Sequence, residues 1–272
     1  RLCWCPNHGL EACDKAADFM VDAGQLIVRG PNFQVNTLCA AGQPCNLGPW
    51  EGTGLSIEDK VAMIRNNMEC VVGDADPLVA NGQYKDVVCD VEIVNCQSSI
   101  SSVESQHGGQ FKICYCAAYT DPNGGDDASC TQSGEFTTWA GVLEIRGPFG
   151  DQIFPCMVGV SCDITVNGFM LDDLDKIKLV RSSDPCSAFP VAGVPAQEAA
   201  IQAGQSAQTM AVSPESNGLN YTKTFRLGGI AVGGDYKVCY CSSVLSCSNP
   251  YDYGGVAGLV QVSGADMSKV YV

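Results

Sequence analysis

The chain has 272 residues, 17 of them cysteine and 30 glycine, with two histidines and a formal net charge of −15 from 30 acidic and 15 basic side chains. That field repels phosphate backbones and anionic headgroups, which sets nucleic-acid binding aside, and no apolar run reaches the roughly eighteen residues of a membrane helix, so membrane insertion is not expected. Cysteine at about one residue in sixteen argues against a reducing cytosol, so a secreted or extracellular-surface location is expected.

At roughly 150 residues per domain the length allows about two domains. The chain opens on Arg1-Leu2-Cys3 rather than Met, as a processed protein or a piece of a longer one would. RLCWC at 1–5, then Cys13, leads into QLIVRG and closes at Gly30-Pro31. Next come Cys39 and Cys45, a C-x5-C pair around Gly42, then Asp59–Arg65 and Cys70. Cys89 and Cys96 follow, then Gly108-Gly109, the strand FKICYC at 111–116, Cys130, and VLEIRG closing at Gly147-Pro148.

The same order then recurs. Cys156 and Cys162 flank Gly159, Asp175–Arg181 precedes Cys186, and Gly233-Gly234 opens YKVCYC at 236–241. Cys247 and LVQVSG end the second pass at Gly264. Gly30, Gly147 and Gly264 are spaced by 117 residues, a whole domain, which points to tandem duplication.

The units read as β-structure. FKICYC alternates, placing Phe111, Ile113 and Tyr115 on one face and Lys112, Cys114 and Cys116 on the other. QLIVRG, VLEIRG and LVQVSG carry the β-branched residues of strands. Helical periodicity is weak everywhere, the best candidate being Pro195–Gly204. The fold class expected is all-β: tandem immunoglobulin-like antiparallel β-sandwiches stapled by disulfides. The expected units are an orphan closing hairpin at 1–30, repeats at 31–147 and 148–264, and a terminal strand at 265–272, in which Met267–Val272 matches Phe33–Leu38.

This phase puts eight cysteines in the first repeat (Cys39, Cys45, Cys70, Cys89, Cys96, Cys114, Cys116, Cys130) and six in the second (Cys156, Cys162, Cys186, Cys239, Cys241, Cys247). Both numbers are even, so bridges closed within each repeat are expected, with Cys89 bonded to Cys96. The bridges should lie on the outer face of the aromatic-cysteine strands and staple loops to them. Cys3, Cys5 and Cys13 in the hairpin are candidates for inter-subunit or unpaired roles. Zinc is disfavoured, because C-x-C and C-x5-C are not the usual knuckles and His8 and His107 are isolated. Nothing basic or helical flanks the C-x-C pairs to activate a thiol.

Those two histidines read as solvated loop residues, which leaves no nucleophile–base pair and no expectation of an enzyme. Asp172-Asp173 and Glu58-Asp59 read as turn charges that keep a β-protein soluble. No cofactor is expected. Calcium has the one visible case, in the oxygen-rich loop Asp121, Asn123, Asp126 and Asp127, against the plainer reading of a solvated tip. Asn220-Tyr221-Thr222 is an N-glycosylation sequon, so an N-linked glycan is a candidate partner.

YKVCYC, the following cysteine, the AGxLxVxGP strand and C-x5-C with its central glycine resemble the tandem cysteine-rich repeats of large extracellular proteins of algae and other protists. The resemblance covers nearly the whole chain. It implies surface-fibril or flagellar-hair-like components as well as adhesion ectodomains. The expected function is a structural subunit of an extracellular filament, with copies of itself joined head to tail by strand complementation at the incomplete termini. The alternative is an adhesion ectodomain that binds glycan or protein, with calcium as an aid.

Overall fold

The computed structural model describes residues 2–5, 13–70, 84–90, 95–119, 128–189 and 220–264. Among them the structure is all-β, in two sandwiches preceded by a hairpin. The hairpin pairs β1 (Leu2–Trp4) with β2 (Val21–Gly24), antiparallel. The first sandwich has one sheet ordered β4 (Val35–Ala40), β11 (Thr138–Pro148), β10 (Gly109–Cys116), β6 (Lys60–Arg65), β7 (Lys85–Asp86). Its facing sheet is β3 (Gly30–Pro31), β5 (Cys45–Thr53), β9 (Asn95–Ile100), β8 (Val88–Cys89).

The second sandwich repeats the plan with β12 (Gln152–Met157), β17 (Gly255–Ser263), β16 (Gly234–Cys241), β14 (Lys176–Arg181) facing β13 (Ser161–Phe169) and β15 (Asn220–Gly229). One feature departs from the antiparallel expectation. In each sandwich the opening strand lies parallel to the closing one, β4 on β11 and β12 on β17. The closing strands bury Leu143 and Ile145, or Val260 and Val262, so their free edges need backbone partners, and the edge-lying opening strands supply them. The candidate helix at Pro195–Gly204 lies outside the described residues.

Period-two alternation on β10 does what the sequence requires of it. Phe111, Ile113 and Tyr115 enter the core between the sheets, where buried Trp50 on β5 stands edge-on to Tyr115 at 5.9 Å and donates its indole N–H to the Ala140 carbonyl at 3.1 Å. Cys114 and Cys116 point the other way. That face is not open to water: Cys70, Cys130, Phe136, Ala62 and Ile64 close over it as a second small core. In the second sandwich Val180, Cys239, Cys241, Cys247 and Tyr253 form the counterpart.

Disulfides hold these outer layers down. Cys70–Cys114 and Cys116–Cys130 pin two loops to β10, and Cys186–Cys239 and Cys241–Cys247 pin two to β16. The lysine of each motif adds a polar anchor. Lys112 donates to the Met68 carbonyl at 2.6 Å and Lys237 to the Asp184 carbonyl at 2.7 Å, both in the loop that carries the bridging cysteine. Cys39–Cys45, Cys156–Cys162 and Cys89–Cys96 staple short turns.

Asp59 corrects an expectation: it is not an exposed turn charge but is buried, as is its repeat counterpart Asp175. Asp59 accepts the Tyr115 hydroxyl at 2.6 Å and the Ser56 and Ala118 amides at 2.8 Å each. Asp175 accepts the Tyr240 hydroxyl, the Asp172 amide at 2.6 Å and the Ser243 amide at 2.8 Å. A carboxylate can be buried here because each is met by three donors, which tie the turn before β6 or β14 to the end of β10 or β16. Burial, reinforced by the adjacent carboxylate, pushes both tyrosine hydroxyls well above the usual phenol range.

Two outcomes follow. Replacing Cys70 and Cys114 together by alanine opens a 44-residue loop, which should lower stability by about 4 kcal/mol on the chain-entropy model, against about 2 kcal/mol for the seven-residue Cys89–Cys96 loop, as read from urea midpoints. Tyr115→Phe should cost about 1–3 kcal/mol at neutral pH by leaving Asp59 short of a donor. Because the folded pKa of Tyr115 lies above its unfolded value, its contribution is intact below about pH 10 and fades as pH rises beyond that, so the variant should show a flatter alkaline loss of stability than the parent.

Candidate functional site

The chemistry of this surface is concentrated where one sandwich meets the next. β11 runs past its own sheet, and Gly147 and Pro148 pair with Phe169 and Gly168 of β13, so the backbone hydrogen-bond network continues across the boundary. Gly30 and Pro31 make the same two-residue pairing with Thr53 and Gly52 of β5. A Gly-Pro step suits this position because proline can end a ladder but not extend it.

Arg146, just before that step, reaches into the corner of the second sandwich. Its guanidinium lies 3.1 Å from the Asp172 carboxylate and 4.0 Å from Asp175, and donates to the Ser243 hydroxyl at 3.3 Å. The Leu174 amide and then the Arg146 charge hold the Asp172 carboxyl below the usual carboxylate range, against the opposing effect of burial. Lys223, buried beneath, donates to the carbonyls of Asp172, Asp173 and Asp175 at 2.5–3.2 Å and fixes the turn, while burial lowers its pKa. At the first boundary Arg29 has the same place but is exposed, donating to the Ala118 carbonyl at 3.4 Å and lying 5.5 Å from the Tyr119 ring.

A second contact sits beside the arginine. The tip of the first sandwich, made of Ala41, Gly42, Gln43 and the Ser105–His107 turn, docks on the start of β17. The Val256 amide donates to the Gln106 carbonyl at 3.1 Å, and His107 Nδ1 lies 3.1 Å from the Val256 carbonyl. Gln43 donates to the Asp252 carbonyl at 3.4 Å. His107 is therefore a half-buried boundary residue, not the solvated loop histidine its polar neighbours implied, because the following sandwich covers its loop. His8 lies outside the described residues.

The other candidate residues are scattered. Cys5 and Cys13 bond to each other, so neither is an unpaired or inter-subunit cysteine; the pair copies Cys116–Cys130 and Cys241–Cys247 at the same repeat position. Cys3 is the one free cysteine among the described residues and is exposed. It occupies the position of Cys114 and Cys239. The calcium candidates Asp121, Asn123, Asp126 and Asp127 lie outside the described residues, between Tyr119 and Ala128, which pair with each other. Asn220 starts β15 opposite Phe169. Among the described residues no three metal-binding side chains gather, and no helix is long and apolar enough to cross a membrane.

Arg146 was within reach of the sequence, since Arg-Gly-Pro occurs twice and the third copy reads Ser263-Gly264-Ala265. The role of Asp175 was hidden, because burial of a carboxylate cannot be read from its neighbours in the chain. Arg146→Ala should move the Asp172 titration up toward the ordinary range without abolishing the contribution of the Leu174 amide, as followed by carboxyl NMR. With its folded pKa below its unfolded one, Asp172 stabilises above about pH 4, and this is lost as pH falls through the folded value, so the variant should lose less stability on acidification.

No family model matches the chain. It is 26% identical to Cysteine repeat modular protein B of Toxoplasma gondii over an alignment 209 positions long, which covers 69% of this chain and 3% of that protein. Solved structures with a loose likeness to the chain include the Dpr2 Ig1-Ig2 complex with DIP-Theta Ig1-Ig3, at 13% identity, TM-score 0.22, covering 88% of this chain and 99% of that one. Another is the teleost fish polymeric Ig receptor ectodomain, at 11% identity, TM-score 0.24, covering 85% and 98%. The chain is a pair of cysteine-rich, disulfide-stapled β-sandwiches, with modest sequence similarity to a cysteine repeat modular protein.

Proposed function

We propose that the chain is a structural part of an extracellular filament or cell-surface fibril, in which repeats spanning 31–147 and 148–264 act as rigid beads. Eight disulfides fit an oxidising compartment. The observation that carries the reading is the segment Leu26-Ile27-Val28, which lies between β2 and β3 outside any strand and whose side chains are 64%, 63% and 73% exposed. Its repeat counterparts Leu143 and Ile145 are fully buried, with β10 on one side of the strand and β4 on the other. A parallel strand from a second copy, of the kind β4 lays on β11, supplies the missing cover by β-augmentation. The residues 265–272 assigned to that strand lie outside the described residues.

The alternative, an adhesion ectodomain recognising glycan or protein, is favoured by Phe189 and Tyr251, which stand 82% and 75% exposed on loops of the second sandwich. Calcium at the 121–127 loop and a glycan on Asn220 belong to either reading. Sedimentation and negative-stain microscopy of the purified chain decide between them. Linear, concentration-dependent oligomers are expected, weakened at least tenfold by the double variant Leu26→Lys/Val28→Lys. A chain that stays monodisperse and monomeric at high concentration would sink the filament reading.

A further inference from the structure

The docked tip depends on glycine at the receiving strand. A Cβ built on Gly254 falls 2.0 Å from the Gly42 carbonyl oxygen, and one on Gly42 falls 1.7 Å from the Gly254 carbonyl carbon. Backbone meets backbone there, so no side-chain adjustment relieves the clash. Gly255 is less constrained, with a Cβ 3.2 Å from the side chains of Ala41 and Tyr240, which must give by a few tenths of an ångström.

Register identifies the same place in the first sandwich. Gly255 and Val256 pair with Tyr240 and Cys239, as Thr138 and Trp139 pair with Tyr115 and Cys114. The glycine pair Gly254-Gly255 is thus replaced by Thr137-Thr138, which stand exposed. The tip is reproduced as well. Gly159 donates its amide to the Ile230 carbonyl at 2.8 Å, as Gly42 does to Ser105 at 2.7 Å, and both glycines have left-handed backbone, at φ +76° and +75°. In the second sandwich this tip is less covered, with Gly159 exposed and Val158 half-buried where Gly42 and Ala41 are buried.

We propose that the tip around Gly159 is a docking surface for a following repeat that carries glycines at the positions of Gly254 and Gly255, and that Thr137-Thr138 bars the first sandwich from receiving such a tip. The boundary seen within the chain is then a closed, rigid type. One formed by a second copy arriving at the first sandwich cannot have that geometry. The inference rests on the occupied boundary and the two receiving strands, and is independent of the filament reading.

The test uses the full chain. Gly254→Thr should speed hydrogen exchange of the Val256 amide at least tenfold and lengthen the particle in solution scattering, while the Ser243 amide, held by Asp175 within the second sandwich, keeps its protection and reports that the sandwich is folded. Should Ser243 also lose protection, the pair Gln43→Ala/His107→Ala, which removes tip contacts from the opposite side, must give the same faster exchange at Val256. Protection of Val256 retained in a folded Gly254→Thr chain, or in the tip variant, overturns the proposal. The reciprocal change Thr137→Gly/Thr138→Gly, made together with Leu26→Lys/Val28→Lys to silence strand pairing, should create concentration-dependent association that Gly159→Thr abolishes. Absence of that gain overturns the assignment of Thr137-Thr138 as the barrier.

Discussion

Each sandwich is organised around one strand that is buried on both faces. β10 and β16 alternate aromatic or aliphatic residues toward the inter-sheet core with cysteines toward an outer layer of loops. A strand in an antiparallel sandwich commonly has one wet face; here the second face is dried by loops. Covalent bonds from Cys114, Cys116, Cys239 and Cys241 tie those loops down, and Lys112 and Lys237 satisfy a loop carbonyl beside each longer bridge.

The same strands end in the tyrosines that anchor Asp59 and Asp175. The core aromatic, the outer disulfides and the corner carboxylate are thus set by a six-residue motif. In the second sandwich the corner does further work. Arg146 arrives from the first sandwich within reach of the Asp172 and Asp175 carboxylates, so the boundary is braced against a group already fixed by three internal hydrogen bonds. Because the Asp175 carboxylate is held before the arginine meets it, its side-chain freedom is not lost again in forming the contact.

Continuity of the sheet through Gly147-Pro148, the arginine bridge and the docked tip together make the boundary more like a packed interior than a linker. Such a boundary fixes the orientation of one sandwich on the next. The first boundary keeps the Gly-Pro pairing and an arginine, with that arginine exposed.

The sequence determined a great deal by local pattern and repetition. Strand alternation in FKICYC, the spacing of 117 residues and the matched cysteines place the strands, the sandwich class and the pairing of Cys89 with Cys96 without reference to distant contacts. Burial of the outer cysteine face, the corner roles of Asp59 and Asp175, the parallel opening strands and the place of His107 were decided only by tertiary structure. Each depends on which groups from remote segments arrive to supply donors, a strand edge or a covering surface, and a carboxylate, histidine or glycine looks the same in the chain whether or not they do. The contrast between Gly254-Gly255 and Thr137-Thr138 is legible in the repeats, yet it acquires meaning only from the backbone of Gly42 lying against it.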